Sequence, residues 1–293
     1  MNIDVSNHNL IHAYTLFTDG NCAREIFKKY GIPYVVAVRS TDVFNFFKQR
    51  PYLKKQGLRV LIDAEAVFFL SLSYKQKVIE KYVPKKYREQ IEKKSLIIPN
   101  GIDDFWFNNG VGLQEKRLDN NDIKIIYAGR IDKNKNIKTT QKAIDILNKR
   151  GYNVSLIVIG KVDNEKVYNS IKKHERTKFI DAMPKEELIK QYRQHDIFVM
   201  PSYSESFGLV YVEAMSQGLP VVYSQGQGFD GQFEEGVVGY HVNAYDPLDV
   251  ADGIEKVINN YDSIQSNVVE KSKKFNWKDI TEKYYNIYKE IVK

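Results

Sequence analysis

The sequence has little cysteine and lacks long apolar runs. Its 293 residues include a single cysteine, Cys22, so the chain forms no internal disulfide, and a reducing cytoplasm is the simplest compartment. No apolar run approaches the length that spans a bilayer. The N-terminus has neither the basic start nor the apolar segment of a secretory signal. We therefore expect a cytoplasmic protein.

Residue patterns typical of metal sites are also missing. No Asp-x-Asp pair occurs, and none of the histidines shows metal-ligand spacing. We expect neither a metal nor a resident cofactor. The histidines are His8, His12, His174, His195 and His241.

The composition is that of a folded protein with a moderate excess of positive charge. Hydrophobic residues make up 43% and charged residues 28%, as in globular domains. The formal charge of +7, from 44 basic and 37 acidic residues, suits an anionic substrate or an anionic surface. Nucleic acid is the rival partner. The lysines, however, are dispersed over predicted helices and no nucleic-acid-binding motif occurs, so we expect no nucleic-acid partner.

Residues 123–274 show the alternation of a Rossmann-like domain. Apolar runs of strand length alternate with longer amphipathic segments, which is the pattern of βαβ units with a parallel sheet. The predicted strands are Ile123–Ala128, Val154–Ile159, Lys178–Ile180, Ile197–Met200 and Pro220–Tyr223. The predicted helices are Ile137–Lys149, Lys185–Arg193, Gly208–Gln217 and Pro247–Asn259.

Residues 1–107 show the same alternation over a shorter length. A complete half of this kind takes roughly 150 residues. We therefore interpret the first domain as lacking its front, and expect an exposed sheet edge there. The polar stretch 108–122 is the predicted linker, and 275–293 has the apolar spacing of an amphipathic helix. The predicted strands are Leu10–Ala13, Tyr34–Val38, Ala66–Leu70 and Leu96–Ile98, with helices between them.

Two glutamates mark the candidate site. Glu205 lies in the loop after the predicted strand Ile197–Met200, and Glu213 lies inside the helix that Gly208 opens. Open α/β sheets bind ligands at such junctions, where the N–H groups at the start of the helix favour an anion. Carboxylates would repel a phosphate, so we expect them to hydrogen-bond hydroxyl groups attached to it. A nucleotide sugar combines these groups.

Several motifs, in one order along the chain, resemble a single family. The spacing of Glu205 and Glu213 is similar to the Glu-x7-Glu signature of the retaining glycosyltransferases of family 4. The resemblance implies the GT-B fold, with two Rossmann-like domains of parallel sheets, the N-terminal one incomplete, and a last helix that crosses back to that domain. The other matching segments are Leu10–Ala13, Ile32–Val38, Ile97–Asp103, Tyr127–Ile131 with Lys135, Leu156–Gly160 and Glu213–Val222.

Arg130 and Lys135 are the expected diphosphate ligands. By resemblance, they neutralise the leaving nucleoside diphosphate in place of a divalent cation. Taken alone, both could be solvated loop charges. The Gly-Arg-x4-Lys spacing at the carboxyl end of a strand favours the site. Relatives usually have glycine after this lysine, where the chain has Asn136, a residue that tolerates left-handed backbone geometry.

The remaining ligand contacts are also implied by the resemblance. Glu205 would bind hydroxyls of the transferred sugar and Glu213 those of the ribose. The backbone N–H groups of Gly208 and Leu209 would hold the diphosphate, and Met183 would lie against the base. The alternatives are a helix-capping carboxylate for Glu205, an exposed helix charge for Glu213 and a core filler for Met183.

Two segments depart from the family pattern. Arg39 follows the strand Tyr34–Val38, where many relatives have a histidine that contacts the donor sugar. Arginine binds anions but is no base at neutral pH, so its presence suggests a charged donor or acceptor, or a subfamily that keeps arginine for positioning. The alternative is an ion pair with Asp42 on a loop. The loop Ser224–Phe233 replaces a usual Gly-Gly-x-Pro-Glu, and we expect it to shape the donor pocket differently.

The stretch Phe44–Lys55 interleaves aromatic and cationic residues. This composition suits peripheral contact with an anionic membrane, where a lipid-linked acceptor would lie. The alternative is an interior helix with a solvated cationic face.

Taken together, the motifs predict a metal-independent hexosyltransferase. It would move a hexosyl unit, with retention, from a nucleoside diphosphate sugar to a saccharide or lipid-linked acceptor, in bacterial surface polysaccharide assembly. The alternative from another class is a truncated nucleotide-sugar-binding module or partner subunit without independent activity. An epimerase acting on the nucleotide sugar would share the fold but needs acid and base groups that the sequence does not offer.

Overall fold

A computed structural model describes residues 7–110, 118–119 and 122–293 of the chain. They form two compact units, each with one parallel sheet, which confirms the predicted α/β class. One unit holds the described residues up to Asn100 together with Lys278–Lys293, and the other holds those of Gly101–Trp277. Residues 111–117 and 120–121 of the predicted linker 108–122 lie outside the described residues.

The first unit contains a four-stranded sheet in the order β1-β2-β3-β4. β2 and β3 are buried along their whole length, as in parallel strands covered on both faces. Among the described residues, β1 lies at one edge of this sheet. The strands are β1 Ile11–Ala13, β2 Tyr34–Val38, β3 Ala66–Phe69 and β4 Ser95–Ile97. The helices are α1 Asp19–Tyr30, a π-helix at Asp42–Phe47, a 3₁₀ turn at Pro51–Leu53, α2 Lys54–Asp63, α3 Leu72–Tyr82 and α4 Lys85–Lys93.

The second unit contains a six-stranded sheet in the order β10-β9-β8-β5-β6-β7. The strands are β5 Ile123–Ala128, β6 Val154–Ile159, β7 Thr177–Ile180, β8 Ile197–Met200, β9 Val221–Ser224 and β10 Gly239–Val242. The helices are α5 Asp104–Asn108, α6 Ile137–Lys149, α7 Glu165–Ile171, α8 Lys185–Gln194, α9 Leu209–Ser216, α10 Pro247–Asn259 and α11 Tyr261–Ser272, followed by a 3₁₀ turn at Lys273–Phe275.

The strand order of the second sheet creates a switch point. From β5 the chain proceeds to β6 and β7 on one side, and then returns to place β8 on the other side of β5. The connections after β5 and β8 therefore leave the sheet in opposite directions, and a crevice forms at the carboxyl ends of these two strands. Arg130 follows β5 and Glu205 follows β8, so both emerge there.

The predicted strands of both halves and the predicted helices of residues 123–274 are confirmed, with bounds that agree to within one residue. The sequence did not predict β10, α5, α7 or α11. In β10 the sequence Gly-Tyr-His-Val has no alternating pattern, and α11 is rich in polar residues. Among the described residues, no helix combines the length and the apolar composition of a membrane span.

The last helix, α12 (Trp277–Val292), contributes an apolar face to the core of the first unit. Ile280 is fully buried and belongs to a cluster with residues of β2, β3 and the segment after β4. The partly buried residues of α12 that pack against this cluster follow helical spacing. They are Tyr284, Ile287, Tyr288 and Ile291.

We expect the substitution Ile280→Ala to lower the free energy of unfolding by about 2–5 kcal/mol, because it leaves a cavity in a close-packed cluster. Tyr285→Ala, on the same helix at a position 54% exposed, is the control; it should change stability by less than about 0.5 kcal/mol. Urea unfolding followed by circular dichroism measures both. Equal losses in the two variants would contradict the packing of α12.

Candidate functional site

A cavity of ≈ 370 Å³ opens at the carboxyl ends of β5 and β6 and beside the segment that follows β7. Its size is that of sites for small organic ligands. Most of its walls are apolar, and the charged side chains that line it are Arg130, Lys161 and Glu213. The other lining residues are Ala128, Gly129, Ile159, Gly160, Ala182, Met183, Leu188 and Val210.

Glu213 reaches this cavity from α9. Burial, and to a smaller extent the Asp103 carboxylate, raise the pKa of its carboxyl group to about 7 against the opposing effect of the Lys185 ammonium group. Asp103 and Lys185 form an ion pair of 2.5 Å with each other. Glu213 therefore changes its protonation state near neutral pH. In its ionised form it is a strong hydrogen-bond acceptor for hydroxyl groups in a low-dielectric wall.

Helix α9 begins with backbone geometry that requires glycine. Gly208 has a φ of 81° and caps the helix, and a Cβ at this position would lie 2.3 Å from the ring of Tyr211. Leu209, the first helical residue, is 37% exposed. The unpaired N–H groups of such a helix start favour an anion. The predicted role of Gly208 and Leu209 as diphosphate ligands stays a prediction.

Glu205 forms an ion pair with Lys135. The Glu205 Oε2 atom lies 2.5 Å from the Lys135 Nζ atom, and the two side chains are only 12% and 14% exposed. The backbone N–H of Ser206 donates to the other carboxylate oxygen at 3.0 Å. Lys135 and Arg130 were predicted to bind the diphosphate together, whereas in the structure Lys135 forms an ion pair with Glu205. Neither member of the pair lines the cavity.

Arg130 lines the cavity with a side chain that is 66% exposed. Its guanidinium lies 3.2 Å from the Asp163 carboxylate and 3.7 Å from that of Asp132. The other carboxylate oxygen of Asp132 accepts the backbone N–H of Lys135 at 2.9 Å. Exposed ion pairs are weak, so an anionic ligand can displace these carboxylates from Arg130.

Asn136 has the left-handed conformation for which the sequence analysis judged asparagine suitable. Its φ is 55°, and the residue is 4% exposed. The side-chain amide donates to the backbone carbonyls of Pro201 and Ala244, at 3.0 and 2.6 Å. Asn136 therefore adopts the left-handed conformation and also connects, by hydrogen bonds, the segments that follow β8 and β10.

Arg39 belongs to the first unit, where it follows β2. Its Nε donates to the Tyr14 carbonyl and its Nη1 to the Asn100 Oδ1, both at 3.2 Å. The alternative prediction was a side-chain ion pair with Asp42. The buried Asp42 carboxylate instead accepts backbone N–H groups, at 2.8 Å from Arg39 and 3.1 Å from Leu16.

The loop Ser224–Phe233 lies against the segment that carries Glu205. The Gln227 Oε1 atom accepts the backbone N–H of Glu205 at 3.1 Å, and the N–H of Gly228 donates to the Glu205 carbonyl at 3.1 Å. A Cβ at Gly228 would lie 1.9 Å from the Ser206 carbonyl oxygen, so this approach requires glycine. The loop therefore fixes the backbone of Glu205.

Asp230, Glu235 and His241 form a cluster whose potential metal-ligand atoms lie within 4.8 Å of one another. The His241 Nδ1 atom lies 3.0 Å from Asp230 and 3.2 Å from Glu235. No sequence spacing predicted the cluster, because the fold brings the loop after β9 against β10. None of the three residues lines the cavity, and their mutual contacts connect the loop to β10.

Lys161 is a site residue that the sequence analysis missed. It follows Gly160 at the carboxyl end of β6, next to β5, and lines the cavity. A charged residue two positions after the end of a buried strand was the available signal. Of the predicted residues, the cavity brings together Arg130, Glu213 and Met183.

Comparisons with known proteins identify the family of the chain. The family model "Glycosyl transferases group 1" matches residues 113–275. The chain is 32% identical over 174 residues to the capsular polysaccharide biosynthesis glycosyltransferase CapM of Staphylococcus aureus. This alignment covers 53% of this chain and 45% of CapM. It is also 35% identical over 116 residues to the D-inositol 3-phosphate glycosyltransferase of Corynebacterium diphtheriae. That alignment covers 39% of this chain and 27% of the relative. The matches thus span less than half the length of these relatives.

A solved structure shares the fold of the chain. The crystal structure of HepE from Anabaena, in complex with UDP, superposes with a TM-score of 0.73 at 17% identity, over 98% of this chain and 80% of that one. Because the family match covers more than half of the sequence, this chain belongs to the group 1 glycosyltransferases.

Proposed function

We propose that this chain transfers a hexosyl unit, with retention of configuration, from a nucleoside diphosphate sugar to a saccharide or lipid-linked acceptor. The observation that carries the proposal is the cavity of ≈ 370 Å³, which places Arg130 and Glu213 around a space of the size of a nucleoside. The Lys135–Glu205 pair lies in the crevice between β5 and β8. Ligands of open α/β sheets bind at such a point.

UDP is the proposed nucleotide. HepE of Anabaena, which shares the fold, has been crystallised with UDP and with UDP-glucose. In this chain the base lies against Met183, the ribose hydroxyls bind the Glu213 carboxylate, and the diphosphate binds Arg130 and the N-terminus of α9. Lys161 adds a second positive charge beside the cavity.

The Lys135–Glu205 pair acts on the transferred sugar and its leaving group. When the bond between the anomeric carbon and the diphosphate oxygen breaks, negative charge develops on the diphosphate. Arg130 and the Lys135 ammonium group stabilise that charge, so a divalent cation is not required. Glu205, released from part of its contact with Lys135, accepts hydrogen bonds from sugar hydroxyls. Arg39 is proposed to bind an anionic group of the donor or acceptor.

Surface polysaccharide assembly is the proposed setting. CapM of Staphylococcus aureus is a capsular polysaccharide biosynthesis glycosyltransferase, and its similarity to this chain supports that setting. A lipid-linked acceptor requires contact with a membrane, for which the first unit has a suitable surface.

The proposed membrane-contact surface consists of Phe44–Lys55 and the cationic side chains beside it. The Arg50 guanidinium lies over the Phe46 ring at 5.0 Å, the Lys77 ammonium lies over Phe44 at 4.9 Å, and Tyr52 is 75% exposed. Burial lowers the pKa of Lys77, and the neighbouring cations lower it further. Phe47 is buried, so part of the stretch serves the core, as the alternative reading expected. The crowded positive charge favours an anionic surface.

We expect Glu205→Ala and Arg130→Ala each to lower turnover by about a hundredfold or more, because each removes one preorganised contact to the donor. The controls Glu175→Ala and Arg176→Ala remove the same charges from exposed positions outside the cavity. A UDP-glucose hydrolysis and transfer assay measures all four. Near-normal turnover in both site variants would refute the assignment, whereas UDP binding without any turnover would favour a binding module.

The raised pKa of Glu213 predicts a pH-dependent affinity for UDP-glucose. Below a pKa of about 7 the carboxyl group is protonated, and above it the carboxylate accepts the ribose hydroxyls. If only the ionised form binds, the affinity should rise about tenfold between pH 6 and pH 8, in proportion to the competent fraction. Calorimetry measures this. The Glu213→Gln variant should bind weakly with no such slope, and a slope that persists in it would contradict the role of Glu213.

Flotation with phosphatidylserine-containing liposomes tests the membrane contact. Replacing Lys48, Arg50 and Lys54 together by glutamine should weaken binding about a hundredfold, since each cation near an anionic surface contributes about 1 kcal/mol. The control variant has the same net charge and replaces Lys142, Lys149 and Lys166 by glutamine. A wild-type chain that does not float with anionic liposomes would sink the membrane proposal.

A further inference from the structure

Two tyrosines, the half-buried Tyr203 and the exposed Tyr245, form an aromatic platform at the carboxyl ends of the strands of the second sheet. The rings of Tyr203 and Tyr245 are stacked, with centroids 4.8 Å apart and planes inclined by 29°. Tyr203 lies in the segment after β8, and Tyr245 in the segment after β10. Tyr245 is 76% exposed, so its ring adds little to the core and remains accessible to a ligand.

Asn134 fixes the segment that carries Tyr203. The backbone N–H of Tyr203 donates to the Asn134 carbonyl at 2.9 Å. The side chain of Asn134 forms two hydrogen bonds with the backbone of Ser204, accepting its N–H at 3.0 Å and donating to its carbonyl at 2.8 Å. Three hydrogen bonds with Asn134 therefore fix the backbone of the segment that carries the Tyr203 ring.

Asn136 connects the two segments of the platform. Its side-chain amide donates to the carbonyl of Pro201, two residues before Tyr203, and to that of Ala244, directly before Tyr245. This amide is buried. The stacking of the two rings thus rests on a preorganised backbone, which lowers the cost of ordering on binding.

The same short segment carries the charged pair of the proposed catalytic site. Lys135 lies between Asn134 and Asn136 in the sequence, and it pairs with Glu205, two residues after Tyr203. The platform and the Lys135–Glu205 pair are therefore built on one framework, and they are neighbours along the edge of the sheet.

The platform and the nucleotide cavity are built from different residues at the carboxyl ends of the strands. The cavity is lined by residues that follow β5, β6 and β7 and by Val210 and Glu213 of α9, the helix after β8. Tyr203 follows β8, and Tyr245 follows β10 at the far edge of the sheet. Tyr203 lies two residues before Glu205, so a ligand that contacts Glu205 lies close to the segment that carries Tyr203.

We propose that Tyr203 and Tyr245 form a subsite that stacks on a pyranose ring of a saccharide acceptor. The proposal rests on the proposed function, since it takes the transferred sugar to lie at Glu205. A sugar ring presents a face of C–H groups that packs on an aromatic ring, and tyrosine supplies such a ring with few rotatable bonds. The acceptor is therefore a saccharide whose ring lies beside the transferred hexose.

Saturation-transfer NMR with gluco-, galacto- and manno-configured trisaccharides tests the platform without requiring catalysis. We expect at least one sugar to receive saturation from the wild-type chain. Tyr245→Ala should lower its affinity about tenfold, as expected for the loss of one aromatic contact. Tyr245→Phe should retain it. Tyr30→Ala, which removes a tyrosine that is 51% exposed in the first unit, should leave the affinity unchanged.

Parallel measurements separate the subsite from the proposed function. In Tyr245→Ala, UDP binding and UDP-glucose hydrolysis should stay within about twofold of wild type, while transfer to the trisaccharide that binds falls about tenfold. A wild-type chain that binds none of the trisaccharides, or a Tyr245→Ala variant with unchanged saccharide affinity, would overturn the subsite. Saccharide binding without any UDP binding would support the platform and refute the nucleotide-sugar proposal instead.

Discussion

The ion pair between Lys135 and Glu205 is the interaction on which the rest of the site depends. Both side chains are mostly withdrawn from water, and desolvating a charge costs several kcal/mol unless its partner is in place. The surrounding chain keeps the partners in place. Asp132 binds the backbone of Lys135, and the loop Ser224–Phe233 binds the backbone of Glu205 through Gln227 and Gly228. Because the backbone of each residue is fixed, either side chain can release the other and bind a ligand without a rearrangement of the chain.

The topology of the second sheet places this pair at the carboxyl ends of two neighbouring strands, because Lys135 follows β5 and Glu205 follows β8. Because β8 lies on the opposite side of β5 from β6 and β7, the segments after β5 and β8 diverge and leave a crevice. Arg130 and Glu213 line the cavity, and the stacked rings of Tyr203 and Tyr245 belong to the segments after β8 and β10.

The sequence predicted the elements well because buried parallel strands form continuous apolar runs, as in Tyr34–Val38. It also placed Arg130 and Glu213 at one cavity, since both lie close to the carboxyl ends of strands in the sheet. It did not predict that Lys135 pairs with Glu205, because that contact joins segments 70 residues apart in sequence. It did not predict that His241 contacts Asp230 either, because that contact depends on how the loop after β9 folds against β10. Hydrogen bonds such as those of Asn136 leave no periodic pattern.

A crystal structure of the chain with UDP bound would test the location of the site most directly. The account predicts uridine in the cavity of ≈ 370 Å³, with its ribose hydroxyls on the Glu213 carboxylate and its diphosphate in contact with Arg130. Lys135 should have turned from Glu205 toward the diphosphate. UDP bound elsewhere on the chain, or a cavity that stays empty at saturating UDP, would contradict the account.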